Sequence, residues 1–204
     1  MKEETEGPPI VFEKVRMTLL PVETDSSPIA FTPPASTFRE DGTFELTNLT
    51  GLRRLMVTTT NPAWALKRIT LNGRDVTDVP FDFREKDVEG LEIVLTSKVT
   101  TVTGGAVDNK GQPLSDYAVV LFTSDPTKWG ERSRFVTVAR PAQRGEFSVR
   151  GLPPDDYLAV ALPLVNGTEH YDPAFLDPLR PIATAFTLSD GESKTLSLKL
   201  KNRP

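Results

Sequence analysis

The feature that most constrains this chain is a pattern that occurs twice. The stretch RGEFSVRGLPPDDYLAVAL, residues 144 to 162, alternates apolar and polar side chains on both sides of a Gly/Pro-rich break. Phe147 and Val149 fall on one face of a strand and Ser148 and Arg150 on the other, and Tyr157, Ala159 and Ala161 resume the alternation after Pro153-Pro154-Asp155-Asp156. A period of two is the signature of a half-buried strand. Two such runs around a turn read as a β-hairpin, with Asp155 and Asp156 in the turn. The same grammar appears in DGTFELTNLTGLRRLMV, where Phe44, Leu46 and Leu49 stand 103 positions before Phe147, Val149 and Leu152. At that same offset VRMTLL (15–20) matches AVVLFT (118–123), and LEIVLT (91–96) matches KTLSLK (194–199). A self-match at constant spacing predicts two related modules in tandem, 1–98 and 99–204.

Each module has about a hundred residues, enough to bury a core of its own. Eighteen prolines and thirteen glycines leave little room for long helices and suit short strands joined by turns. The expected fold class is therefore all-β, with Phe147, Leu152, Tyr157 and Leu198 in the core of the second module. The join near Thr96 to Val99 is short and predicts a stiff linker. In TTVTGGAVDNKGQPLSD a strand is followed by a turn at Asn109-Lys110-Gly111, and Gly104-Gly105 read as turn or bulge glycines. The first module has only the acidic MKEETEGPP in the corresponding place, so its sheet is expected to be one strand short and to present an open edge at Val15 to Leu20. KRITLNGRDVTDVP predicts a hairpin at Asn72-Gly73. YDPAFLDPLRPIA breaks the strand pattern: Asp172 is placed to cap, Pro173 suits a first helical position, and Phe175, Leu176 and Leu179 follow at helical spacing.

Several chemistries are disfavoured by residue usage. The net charge of −4, with Lys and Arg dispersed, is not the footprint of a nucleic-acid binder. The chain has no cysteine, which removes disulfides, thiolate metal sites and thiol nucleophiles. No apolar run approaches the roughly 20 residues that span a bilayer as a helix, and the acidic start differs from the basic-then-apolar plan of a secretory signal. Histidine occurs once, as His170 in GTEHYDP, where a metal site would need further ligands from elsewhere. Ser133 and Ser148 have no histidine partner or nucleophile elbow, and the carboxylate pairs Asp155-Asp156 and Asp75/Asp78 sit where turns favour aspartate. No cofactor and no metal are expected. The residues left for binding are rings in or beside loops, namely Trp64, Trp129 and Tyr171, with Arg132 and Arg134 near Trp129 to supply polar contacts.

The phrases VTGGAVDNKGQPLSDYAVVLF, RGEFSVRGLPPDDYLAVAL and LSDGESKTLSLKL resemble the carboxypeptidase regulatory-like domain, a transthyretin-like β-sandwich related to the collagen-adhesin B-type repeats. WALKRITLNGRDVTDVPFDF and YDPAFLDPLRPIATAFTL are similar to the tandem forms in large exported proteins of soil bacteria, chiefly acidobacteria. The resemblance implies two prealbumin-like sandwiches in series and an extracytoplasmic location, and supplies no established activity; with one histidine, no cysteine and no ligand cluster, the chain is expected not to be an enzyme. It implies binding, adhesion or spacing, with neighbouring domains, a polysaccharide or a cell-surface protein as partner. The first alternative is a carbohydrate-binding module using the exposed aromatics, and the second an enzyme of unrecognised type. Adhesin repeats of this kind can also carry an internal Lys–Asn bond. Lys98 and Asn202 have the right chain order for it, but both lie outside the apolar alternation and no acid falls at a core position.

Overall fold

The computed structural model describes residues 2–3, 7–22, 36–39, 41–84 and 87–203, so part of the acidic start, residues 1 and 4–6, lies outside the described residues. The chain divides into two compact units, Met1–Lys98 and Val99–Pro204. It is all-β, and among the described residues short helical turns occur only in connections.

In the first unit, β1 (Lys2–Glu3), β6 (Ala65–Leu71), β7 (Arg74–Asp75) and β9 (Leu91–Thr96) form one sheet in the order β1-β9-β6-β7. A second sheet, β2-β5-β8, consists of β2 (Val15–Pro21), β5 (Leu52–Thr59) and β8 (Phe81–Asp82), and β3 (Ser36–Phe38) pairs with β4 (Phe44–Leu46). Val15, Met17 and Leu19 of β2 and Leu55 and Val57 of β5 pack with Ile69, Ile93 and Leu95 of the other sheet. The alternation in β2 is strict, buried at 15, 17 and 19 and exposed at 16 and 18, so this sheet turns one face to solvent. Asn72 (φ 52°) and Gly73 (φ 80°) both take positive φ in the β6–β7 hairpin, as a two-residue hairpin turn requires.

The second unit stacks three layers. Its first sheet is β13-β10-β16, built from β10 (Thr101–Val107), β13 (Glu146–Arg150) and β16 (Ser193–Lys199). The second is β12-β11-β14-β15, built from β11 (Ala118–Thr123), β12 (Val136–Ala139), β14 (Asp155–Leu162) and β15 (Thr184–Leu188). Between them lie Val102, Tyr117, Val119, Leu121, Phe147, Leu152, Tyr157, Leu196 and Leu198, which include all four core residues expected from the sequence. The opposite face of β11 and β14 packs Ala118, Val120, Phe122, Val160 and Leu162 against Val165, Leu176 and Leu179 of the following connection. Every residue of β11 is consequently buried. The helical turns in that connection include α1 (Pro173–Leu176), capped by Asp172, whose carboxylate accepts from the Ala174 amide at 2.8 Å. So short a helix is marginal alone; burial of Leu176 and Leu179, about 1.5–3 kcal/mol each, holds it in place.

Five sequence expectations need correction. β13 and β14 do not pair with each other: β13 belongs to one sheet with β10 and β14 to the other with β11 and β15. The stretch at 144–162 is therefore an arch between sheets, and the same holds for β4 and β5. Leu152 is buried at the bend, Gly151 takes φ 75°, and the Tyr157 hydroxyl donates to the Pro153 carbonyl at 2.8 Å. Second, Asp155 and Asp156 open β14, opposite Leu188 and Thr187, and are not turn residues. Third, Gly104 and Gly105 sit inside β10 in unbroken register with both neighbours. Glycine is needed at 104 because a Cβ there would lie 2.0 Å from the Leu196 carbonyl oxygen.

Fourth, the offset of 103 is not the facing register of β2 and β11. It matches Val15, Met17 and Leu19, which face the space between the sheets, to Ala118, Val120 and Phe122, which face away from it. A slip of one residue exchanges the two faces of a strand. Fifth, the first unit does have a strand where none was expected. Lys2 and Glu3 pair in parallel with Val94 and Leu95, as Gly105 and Ala106 pair with Ser197 and Leu198.

Candidate functional site

Trp64 is not an exposed ring. It is 3% accessible, its indole N–H donates to the Pro8 carbonyl at 3.0 Å, and it packs within the core of the first unit. The Gly7–Pro8 segment lies so close over the ring that a Cβ at Gly7 would meet it at 2.7 Å. A sugar has no access to this face, which corrects the ligand-binding reading of Trp64.

Trp129 follows a helical turn, Pro126–Lys128, whose start is capped by Asp125 accepting from the Thr127 amide at 3.0 Å. The half-buried indole donates to the Thr123 carbonyl at 2.8 Å and meets Phe122 edge-on, with centroids 5.7 Å apart. The ring thus closes the end of the apolar layer outside β11 and β14. The neighbouring cations also have partners. Lys128 pairs with Asp155 at 2.7 Å, and Nζ of Lys128 and the Arg134 guanidinium stand 5.0 and 4.9 Å from the Phe135 ring centroid. Arg132 is exposed, takes φ 56°, and lies 3.7 Å from Glu131.

Tyr171 packs half-buried against the same apolar layer, and its ring centre is 4.0 Å from that of His170. Burial lowers the His170 pKa from 6.5, outweighing the opposing pull of the Gly167 backbone and the Glu169 charge. Its Nδ1 is buried with no hydrogen-bond partner among the described residues. The adjacent carboxylates are engaged elsewhere. Glu169 receives both terminal nitrogens of Arg203 and the Asn166 amide, interactions that hold its carboxyl below the usual range, and Asp172 caps α1. Among the described residues no group of three or more His, Cys, Asp or Glu side chains could hold a metal ion.

A site that sequence reasoning missed lies on the outer face of β13-β10-β16. Thr103, Gly104, Arg144, Glu146, Ser148 and Thr195 line an open depression of about 800 Å³. The hydroxyls of Thr103 and Thr195 are 3.3 Å apart across the β10–β16 ladder. The signal was present as small and hydroxylated residues at alternate positions of TVTGG, FSV and KTLSL, interpretable only once these strands are known to be neighbours. In the first unit a cavity of about 620 Å³ has an apolar floor at Leu19, Leu55 and Phe81, and Asp87 and Glu89 also line it.

The arrangement defines an all-β protein of the sandwich class in which the turns around Trp129 and Tyr171 are tied down by their own polar side chains. No family model and no curated protein matches the chain. Solved structures that it resembles include a streptococcal ancillary pilin (16% identity, TM-score 0.35, 84% of this chain and 51% of that one) and BcpA, the major pilin subunit of Bacillus cereus (11%, 0.35, 75% and 38%). Another is the Bacillus anthracis TIE protein (12%, 0.31, 94% and 30%). The chain spans about a third to a half of the length of these three. Such values transfer no ligand or partner.

Proposed function

We propose that this chain is a non-catalytic, extracytoplasmic β-sandwich pair that serves as a structural or adhesive module, spacing or joining neighbouring domains of an exported protein. The carboxypeptidase regulatory-like resemblance and the division into related modules at 1–98 and 99–204 are part of this proposal. The observation that carries it is the pairing of β10 with β16. The first and last strands of the second unit run in parallel over seven residues, from Thr101↔Ser193 to Val107↔Lys199. The chain therefore joins this ladder at one end and leaves it at the other, about 20 Å away at the rise of a parallel strand. That geometry suits a unit placed head to tail in a string. The polar side chains offered for chemistry also have structural roles: Asp155 holds Lys128, Glu169 holds Arg203, and Asp75 accepts from the Thr77 amide.

The carbohydrate-binding reading now rests on the half-exposed Trp129 and Tyr171, with Arg132 and Arg134 alongside Trp129 in the chain, and on the hydroxyl-lined depression at Gly104. Affinity electrophoresis through polysaccharide-loaded gels, with a glycan array, separates the two readings. A spacer migrates unretarded in every gel. Retardation relieved by Trp129→Ala, Tyr171→Ala or Thr195→Ala would replace spacing with glycan binding and identify the face.

A further inference from the structure

We propose that the second unit is a load-bearing element whose β10–β16 ladder is a shear clamp against tension applied along the chain. This goes beyond the spacing reading, since a spacer need not resist force. When two terminal strands are parallel, tension on the N-terminal end of one and the C-terminal end of the other slides them past each other. All rungs are then strained together, whereas tension on two strands from the same end opens the ladder one rung at a time. Parallel bonds are evenly spaced, so the load is shared along all seven residue pairs.

Both ends of the ladder are secured before the load reaches it. On the N-terminal side Thr100 is buried, its hydroxyl donates to the Leu152 carbonyl at 2.6 Å, and its carbonyl accepts from Gly151 at 3.0 Å. The Thr101 amide adds a bond to the Glu192 carbonyl at 2.9 Å. Beyond β16 the chain crosses to the other sheet. The Leu200 amide donates to the Val107 carbonyl at 2.9 Å and the Lys201 amide to the Ala161 carbonyl at 2.8 Å. Arg203 then grips Glu169 and the Leu164 carbonyl while its guanidinium stands 4.8 Å from the Phe175 ring centre. Tension leaving through the C-terminus is thus distributed over both sheets and the helical layer. Within the ladder, Gly104 allows an approach to Leu196 that any side chain would block.

The chain has no cysteine, so pairs of introduced thiols define the direction of pulling. Lys98, Asp190 and Asn202 are exposed. Single-molecule force spectroscopy on the full chain compares Lys98→Cys/Asn202→Cys, which loads the ladder in shear, with Lys98→Cys/Asp190→Cys, which peels it from the Thr101–Ser193 end. The expected rupture force is several-fold higher in shear, and equal forces, or a higher force in peeling, would overturn the clamp. In the shear pair, Gly104→Ala is then expected to lower the force more than Val160→Ala, once both are compared at equal equilibrium stability. An equal loss would show that general stability, not the ladder, resists the load. A negative result here leaves the glycan and spacing tests unaffected.

Discussion

Gly104 and Gly105 show how differently two adjacent, identical residues can be constrained. At Gly104 a methyl group would meet the Leu196 carbonyl at 2.0 Å and the Phe147 ring at 3.0 Å, whereas at Gly105 the nearest group is the Gly145 carbonyl at 3.7 Å. Gly104→Ala is expected to destabilise the second unit by about 2–3 kcal/mol, at the upper end of the cost of overpacking. Gly105→Ala should be neutral or stabilise by roughly 0.4–1 kcal/mol, because it restricts only the unfolded chain. Urea denaturation of the two variants checks the contrast, and equal losses would contradict the geometry. His170 offers a second test at this scale. Its folded pKa lies below the unfolded value of 6.5, so below about that pH the unfolded chain binds a proton that the folded one refuses. Stability should therefore fall as the pH drops through 6.5 and stop falling for this reason once the folded ring itself titrates. His170→Gln should flatten that part of the pH–stability profile, leaving the later acid loss associated with Glu169, whose own pKa is lowered mainly by Arg203. An unchanged slope would show that the ring is not shielded.

Among the elements, the arch from β13 to β14 marks what the sequence could and could not reveal. Alternation at Phe147 and Val149, and again at Tyr157, Ala159 and Ala161, was legible because burial on one face leaves a period of two. The partner of each strand was not, since a run of alternating residues before a turn looks the same whether the chain folds back beside itself or crosses to another sheet. The clue lay in the break itself: Asn72-Gly73 is a two-residue hairpin turn, whereas Gly151-Leu152-Pro153-Pro154 is longer and buries a leucine. The facing of β11 was hidden for a related reason. With both faces covered, AVVLFT has no alternation to fix its phase, so its alignment with VRMTLL at 103 positions says nothing about which of its side chains face inward. The candidate site fared worse than the fold, because the same rings that suggest stacking platforms also serve to close apolar layers, as Trp64 does. The arch makes its own prediction. Tyr157→Phe removes the donor to the Pro153 carbonyl and should cost about 1–3 kcal/mol, the penalty of leaving a buried acceptor unsatisfied. Chemical denaturation reads this loss directly, and a value near zero would mean that water replaces the hydroxyl.

At the scale of the whole molecule, the apolar clusters respect the division at Lys98–Val99. Among the described residues, one contains residues of the first unit and two contain residues of the second. Residues 99–204 produced alone should therefore fold, with a cooperative thermal transition and the near-ultraviolet signature of a packed Trp129. A non-cooperative melt would show that the second core depends on the first unit. The parallel ladder also bears on how this unit is made on the ribosome. Thr103 and Thr195 are neighbours in space yet 92 positions apart in the chain, so β10 emerges long before the strand that completes one of its edges. β13 can occupy its other edge much earlier. Until Lys199 clears the exit tunnel, the unit is a nascent sheet with one uncovered border, available for misplaced pairing. Synthesis pauses or chaperone capture in that interval would determine how much of the chain reaches the native state.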